Sequence, residues 1–183
     1  MRAAEIQNEL TEVLVTEEQI LAKLEEIAAR VAVDYAGKNL LLVGVLKGAV
    51  MVMADFSRAL PSVVPMDWMA VSSYGAGTKS SGVVQIRKDL DSDLTDRHVL
   101  IVEDIIDSGL TLSWLLDNFA SRGAASIEVC ALLRKPEAAK VEIDCKYVGF
   151  DIPTDFVVGY GLDFDERYRN LRDVAVLAPH VYA

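Results

Sequence analysis

The stretch Val99-Leu100-Ile101-Val102-Glu103-Asp104-Ile105-Ile106-Asp107-Ser108-Gly109-Leu110-Thr111 constrains this chain more than any other. Val99 to Glu103 is a short apolar run that ends in acid, and Leu112, Leu115, Leu116, Phe119 and Ala120 follow at helix spacing. A strand, a loop and a helix are expected in that order. A buried parallel strand does not tolerate unpaired charge, so Glu103 and Asp104 are expected where the strand leaves the sheet and meets solvent or ligand. Asp107 to Thr111 then supply hydroxyls, a glycine and backbone N–H groups at a helix start. Unpaired amides and the positive end of the helix dipole attract anions there.

Two acids directly before an anion cradle do not suit a bare phosphate. Carboxylates repel phosphate, but they accept hydrogen bonds from sugar hydroxyls and can hold a divalent cation. The combination points to a phosphorylated sugar. A helix cap accounts for one acid or hydroxyl, but not for Glu103, Asp104, Asp107 and Ser108 together. The stretch resembles the signature of the type I phosphoribosyltransferases. That resemblance implies that Glu103 and Asp104 bind ribose hydroxyls and that Asp107, Ser108, Gly109, Leu110 and Thr111 wrap a 5-phosphate.

The flanking sequence reads as α/β. Residues before Thr16 are polar and mixed; Thr16-Glu17-Glu18-Gln19 is a capping-box pattern, followed by Ile20, Leu21, Leu24, Ile27, Ala28 and Val31 at helix spacing, with Gly37 as the stop. Leu40 to Val45 is a continuous apolar strand, and a second apolar helix ends near Pro61. Met66 to Tyr74, Val83 to Lys88 and Ala125 to Leu133 give further strands, and Arg122-Gly123 stops the central helix. From Tyr147 onward, short strands and turns are expected, forming a small hood. The expected architecture is a single domain over residues 1–183, a mainly parallel twisted sheet flanked by helices.

Further candidate sites fall at strand ends, where open α/β sheets place ligands. Lys47-Gly48 follows the first buried strand and Arg134-Lys135 follows the strand to Leu133, although a lysine at a strand end can simply snorkel to water. Gly75 to Gly82 has no periodicity and the small-residue composition of a lid. It lacks both the dinucleotide fingerprint and the Gly-Lys adjacency of a P-loop. Asp89, Asp91, Asp93 and Asp96 lack the central glycine and distal glutamate of a calcium loop and read as a solvated connection.

From about residue 10 to about residue 180 the chain is similar to the hypoxanthine-guanine type of the family, in the order of its motifs and their approximate spacing. The resemblance implies that Lys47, Gly48 and Arg169 bind pyrophosphate, and that Lys135 hydrogen-bonds the purine 6-oxo group. It also implies that Phe156 stacks the base, Val157 reads the ring edge through its backbone, and Asp163 approaches base and metal. Ser73 and Tyr74 would belong to the lid. Arg134 departs from an acidic residue common in bacterial relatives, and its role is open. The implied reaction transfers the phosphoribosyl group of 5-phosphoribosyl 1-pyrophosphate to hypoxanthine or guanine. Asp107 would be the base, and Mg²⁺ would be held by Glu103, Asp104 and Asp163. A xanthine- or pyrimidine-accepting transferase, or a non-catalytic regulator binding a nucleotide or RNA, is the alternative.

A formal net charge of −10 repels nucleic acid and anionic membranes, so neither is an expected partner. Two cysteines, Cys130 and Cys145, lack metal or redox spacing, and no run reaches the length of a membrane span. A cytoplasmic protein is expected, and the resemblance implies a homodimer or homotetramer.

Overall fold

The structure, a computed structural model, describes residues 1–73 and 84–182. The lid expectation over 74–82, with Tyr74, lies outside the described residues, as does the side chain of Ser73. Alternation along the central strands dictates the layers. In β2 (Leu40–Leu46), Leu41 and Val43 pack on one side and Leu42 on the other. In β5 (His98–Ile106), Val99 and Ile101 oppose Leu100 and Val102. In β6 (Ser126–Arg134), Val129 and Ala131 oppose Cys130 and Leu132. Strands apolar on both sides must be covered on both.

On one side α1 (Glu17–Asp34) contributes Ile20, Leu24, Ile27 and Val31, and α2 (Val50–Ala59) contributes Val52, Met53 and Phe56. On the other, α3 (Leu110–Ala120) contributes Leu112, Leu115 and Phe119. The start of α1 is the capping box read from the sequence. The Thr16 hydroxyl accepts from the Gln19 N–H at 3.3 Å, and the Gln19 side chain accepts from the Thr16 N–H at 2.9 Å.

The main sheet has the order β4 (Val84–Lys88), β3 (Met66–Ser73), β2, β5, β6, β7 (Tyr147–Asp151). All neighbours are parallel except β3 and β4. The chain steps outward from β2 to β3 and β4, then returns to β5 and steps the other way to β6 and β7. The reversal leaves a crevice between β2 and β5 at their carboxyl ends, where such sheets bind ligands. Pairing of β2 with β5 stops at Gly44 opposite Val102, whereas β6 follows β5 to Ile106 opposite Arg134.

That register corrects the sequence reading, because β5 does not leave the sheet at Glu103 but continues through Ile106. Glu103 and Asp104 lie inside a strand that has lost its partner on one side. The N-terminus is the second correction. Residues read as polar and mixed form β1 (Leu10–Val15), which pairs antiparallel with β9 (Val174–Leu177), and β9 pairs with β8 (Val157–Val158). This three-stranded sheet is the hood, and it begins later than expected, because Tyr147–Asp151, read as its first strand, is β7 on the edge of the main sheet. Only Val15 of β1 is fully buried, so the strand carries little apolar alternation to read.

The layered core sets a direct expectation. Phe119, fully buried under the sheet, should cost about 3–5 kcal/mol when replaced by alanine. Val63→Ala, at a fully exposed position, should stay within about 0.5 kcal/mol. Urea midpoints at constant slope measure both.

Candidate active site

The loop from β5 to α3 encloses a small cavity of about 130 Å³ lined by Glu103, Asp107, Ser108, Gly109 and Thr111. The N-cap of α3 is Gly109, and no side chain caps it, so Asp107 and Ser108 are not consumed at the helix start. The first-turn amides of the helix therefore open toward the loop. Gly109 has φ +78°, and a β-carbon there would stand 2.6 Å from the Val141 carbonyl oxygen. The Lys140 and Val141 N–H groups donate to the Ser108 carbonyl at 3.0 and 3.2 Å. This brace under the cradle carries no sequence motif and was not anticipated.

Successive strand residues face opposite ways, and the two acids obey that rule. Glu103 lines the small cavity, and Asp104 lines a second, larger cleft. The cavities share Ile105 and Asp107. Glu103 is 8% exposed, and burial, helped by the Asp104 charge, pushes its carboxyl well above the usual range. Burial pushes Asp104 up to about 6, against the pull of the Ile105 N–H and the Arg169 charge. A buried and a half-buried acid side by side call for a proton, a cation or hydroxyl donors.

The second cleft, about 350 Å³, brings together Lys47, Gly48, Asp104, Asp107, Lys135, Phe156, Val157, Asp163 and Arg169. All of these were read from the sequence; Leu162, which also lines the cleft, was not. Gly48 is required by packing, because a β-carbon there would lie 1.9 Å from Asp104 Oδ2. Lys135 is 7% exposed, and its ammonium lies 3.7 Å from Asp107 Oδ2. Phe156 is 42% exposed and is backed by Tyr182 and Phe164, with ring centroids at 5.3 and 5.9 Å. Arg134, open in the sequence, donates twice to Asp151 at 2.7 and 3.1 Å and ties β6 to β7.

Arg169 pairs with Asp163 at 2.8 Å and donates to the Gly161 carbonyl at 2.7 Å. Glu166, which sequence reasoning missed, accepts from Lys47 at 2.9 Å and from Arg169 at 3.1 Å. A contact across 119 positions leaves no local trace.

Among the described residues, no three His, Cys, Asp or Glu side chains are gathered so that they could hold a metal ion. The carboxylates expected to hold metal are divided, Glu103 and Asp104 on β5 and Asp163 in the hood, where the Asp163 carboxylate is engaged by Arg169. Asp104, which opens into the cleft that also holds Asp163, nevertheless fits as one ligand of a divalent cation whose remaining oxygen ligands come with the substrate.

A family profile, phosphoribosyl transferase domain, matches residues 11–165. A hypoxanthine-guanine phosphoribosyltransferase of Mycobacterium tuberculosis is 54% identical over 180 residues, covering 95% of this chain and 89% of the relative. One of Streptococcus agalactiae is 49% identical, covering 97% and 99%. The crystal structure of a hypoxanthine phosphoribosyltransferase from Staphylococcus aureus superposes with a TM-score of 0.94 at 46% identity, covering 98% and 97%.

The raised acids make a pH prediction. Asp104 holds its proton to about pH 6 when folded but only to about pH 4 when unfolded. Its contribution is therefore complete below about pH 4 and is lost as pH rises through about 6. Asp89 and Asp151, held low by their arginine partners, act in the opposite sense and only below about pH 4. Without ligand, Asp104→Asn should gain melting temperature relative to the parent as pH rises from about 4 to about 7. A constant difference across that range would show that burial of the charge is not the cause.

Proposed function

The chain belongs to the phosphoribosyltransferase family, and from that premise we propose that it transfers the 5-phosphoribosyl group of 5-phosphoribosyl 1-pyrophosphate to hypoxanthine or guanine. The products are IMP or GMP and pyrophosphate, and the role is purine salvage. One observation carries the reading. At the β2/β5 switch point, a helix-start cradle, a buried acid pair and a cluster of cations lead without interruption to an exposed aromatic ring.

Each part meets a demand of the reaction. Breaking the anomeric carbon–oxygen bond leaves positive charge on the sugar and builds negative charge on the departing diphosphate. Lys47, the Gly48 amide and Arg169 donate to that diphosphate, and donors placed where charge develops are commonly the largest catalytic term. Ser108, Gly109, Leu110 and Thr111 hold the 5-phosphate at the start of α3. Glu103 and Asp104 fix the ribose hydroxyls. Phe156 stacks the purine, the Val157 backbone and Asp163 meet its edge, and Lys135 donates to its 6-oxo group.

Asp107 lines both cavities and so stands between sugar and base. It accepts the proton that purine N7 gives up as the new bond forms. The Mg²⁺ expected at Glu103 and Asp104 would be held from the cleft side by Asp104, with Asp163 toward a second. Such an ion, when bound, neutralises the diphosphate and favours its departure.

No helix of the described residues is long and apolar enough to cross a membrane, and Cys130 and Cys145 are unpaired thiols. We place the enzyme in the cytoplasm, with residues 1–183 as one domain. In our reading it is a homodimer or homotetramer that binds neither nucleic acid nor membrane.

Incubation with phosphoribosyl pyrophosphate, Mg²⁺ and each of four bases should yield nucleotide from hypoxanthine and guanine in preference to xanthine and uracil. Asp107→Asn should lower kcat by about 10²-fold or more while leaving the KM for the sugar donor within a few-fold. Near-normal turnover in steady-state assays would remove Asp107 from the role of base.

A further inference from the structure

Both cations assigned to the leaving diphosphate share one carboxylate of this chain. Glu166 Oε1 accepts from Lys47 Nζ at 2.9 Å, while Oε2 accepts from Arg169 Nη2 at 3.1 Å and from Nε at 3.3 Å. A single carboxylate thus joins the loop after β2 to the hood. Two oxygens shared between a lysine and an arginine reproduce what a bridging phosphoryl group does between the same donors.

The turn holds the carboxylate in that place. Asp165 and Glu166 have φ of 52° and 60°, the left-handed region that side-chain-bearing residues rarely adopt. The Glu166 N–H is anchored to Asp163 Oδ2 at 2.9 Å. The contact is also open to exchange, because the Lys47 and Glu166 side chains are 64% and 62% exposed, and water-exposed ion pairs are weak. Arg169 has other partners, Asp163 at 2.8 Å and the Gly161 carbonyl at 2.7 Å, so it stays oriented when Glu166 lets go.

Resting on the transferase reading above, we infer that Glu166 is an internal stand-in for the diphosphate. It occupies Lys47 and Arg169 before the sugar donor binds, yields them when the donor arrives, and reclaims them as pyrophosphate departs. Glu166 is therefore a positioning residue that competes with substrate and product for the same cations. Its charge weakens diphosphate binding and speeds diphosphate release.

Calorimetry with magnesium pyrophosphate alone, on the whole protein, tests this without relying on turnover. Glu166→Gln keeps the shape and removes the charge, and its pyrophosphate Kd should fall about three- to fivefold, the effect of freeing exposed ion pairs. Product inhibition by pyrophosphate should tighten by the same factor, with the KM for hypoxanthine unchanged. Glu166→Asp, which restores a carboxylate, should move the Kd back toward the parent value. Unchanged or weaker pyrophosphate binding in the Gln variant, or an equal rise in both KM values, would overturn the inference and leave Glu166 as a loop-shaping residue. A parent protein that bound no diphosphate would overturn the transferase reading and this inference with it.

Discussion

Placing two adjacent carboxylates inside a central strand is the arrangement on which the other features of the site depend. Unpaired charge is expelled from a sheet interior unless something compensates for it. Here β5 keeps β6 beside it to Ile106 but loses β2 after Val102, so Glu103 and Asp104 are supported on one edge and open on the other. The strand gives the acids rigidity, and the divergence gives them access. Burial still leaves the pair holding protons more tightly than free acids do. A ligand with hydroxyl groups and a cation relieves a cost that the empty protein carries.

The cleft faces a second problem, because the protein has a formal net charge of −10 and the proposed sugar donor is itself a polyanion. Attraction at long range is absent, and specific local cations must do the binding. Each such cation is found with an acid: Lys135 with Asp107, Arg169 with Asp163, and Lys47 with Glu166. Binding an anionic ligand is then an exchange of partners, not the filling of a positively charged hole. An exchange of this kind favours ligands that offer several acceptors at the right spacing over a single anion. The acids that compete are drawn from the same short segments as the residues that bind.

Much of this was readable in the residues. Continuous apolar runs, helix-spaced apolar residues and the capping box at Thr16 located the layers, and the central motif placed a helix start at Gly109. Two features were misjudged for one reason: they depend on neighbours distant in sequence. The end of β5 was set too early because charge normally marks a strand's exit, whereas the register with β6 carries it onward. β1 went unseen because its outer residues are exposed and its partner, β9, comes near the end of the chain. Glu166 and Arg134 were opaque on the same ground, since their meaning lies in Lys47 and Asp151.

The two halves of the proposed substrate rest on different sheets. The cradle proposed for sugar and phosphate belongs to the central sheet through β5 and α3, whereas Phe156 and Val157 belong to the hood built by β1, β8 and β9. A reaction that joins base to sugar needs these supports held in fixed register. Val15, Val157 and Val174 of the hood pack into the main core, but at the cleft the contact is close backbone: a β-carbon on Gly161 would lie 2.0 Å from the Gly48 carbonyl oxygen, and one on Gly48 would strike Asp104. Three elements meet there with no room for a side chain at either glycine. The two glycines therefore let the hood settle onto the acid-bearing strand, so that the aromatic platform and the ribose site share one cleft. Side-chain packing joins the two sheets in one core, and the close approach at the cleft itself depends on the absence of side chains at these two positions.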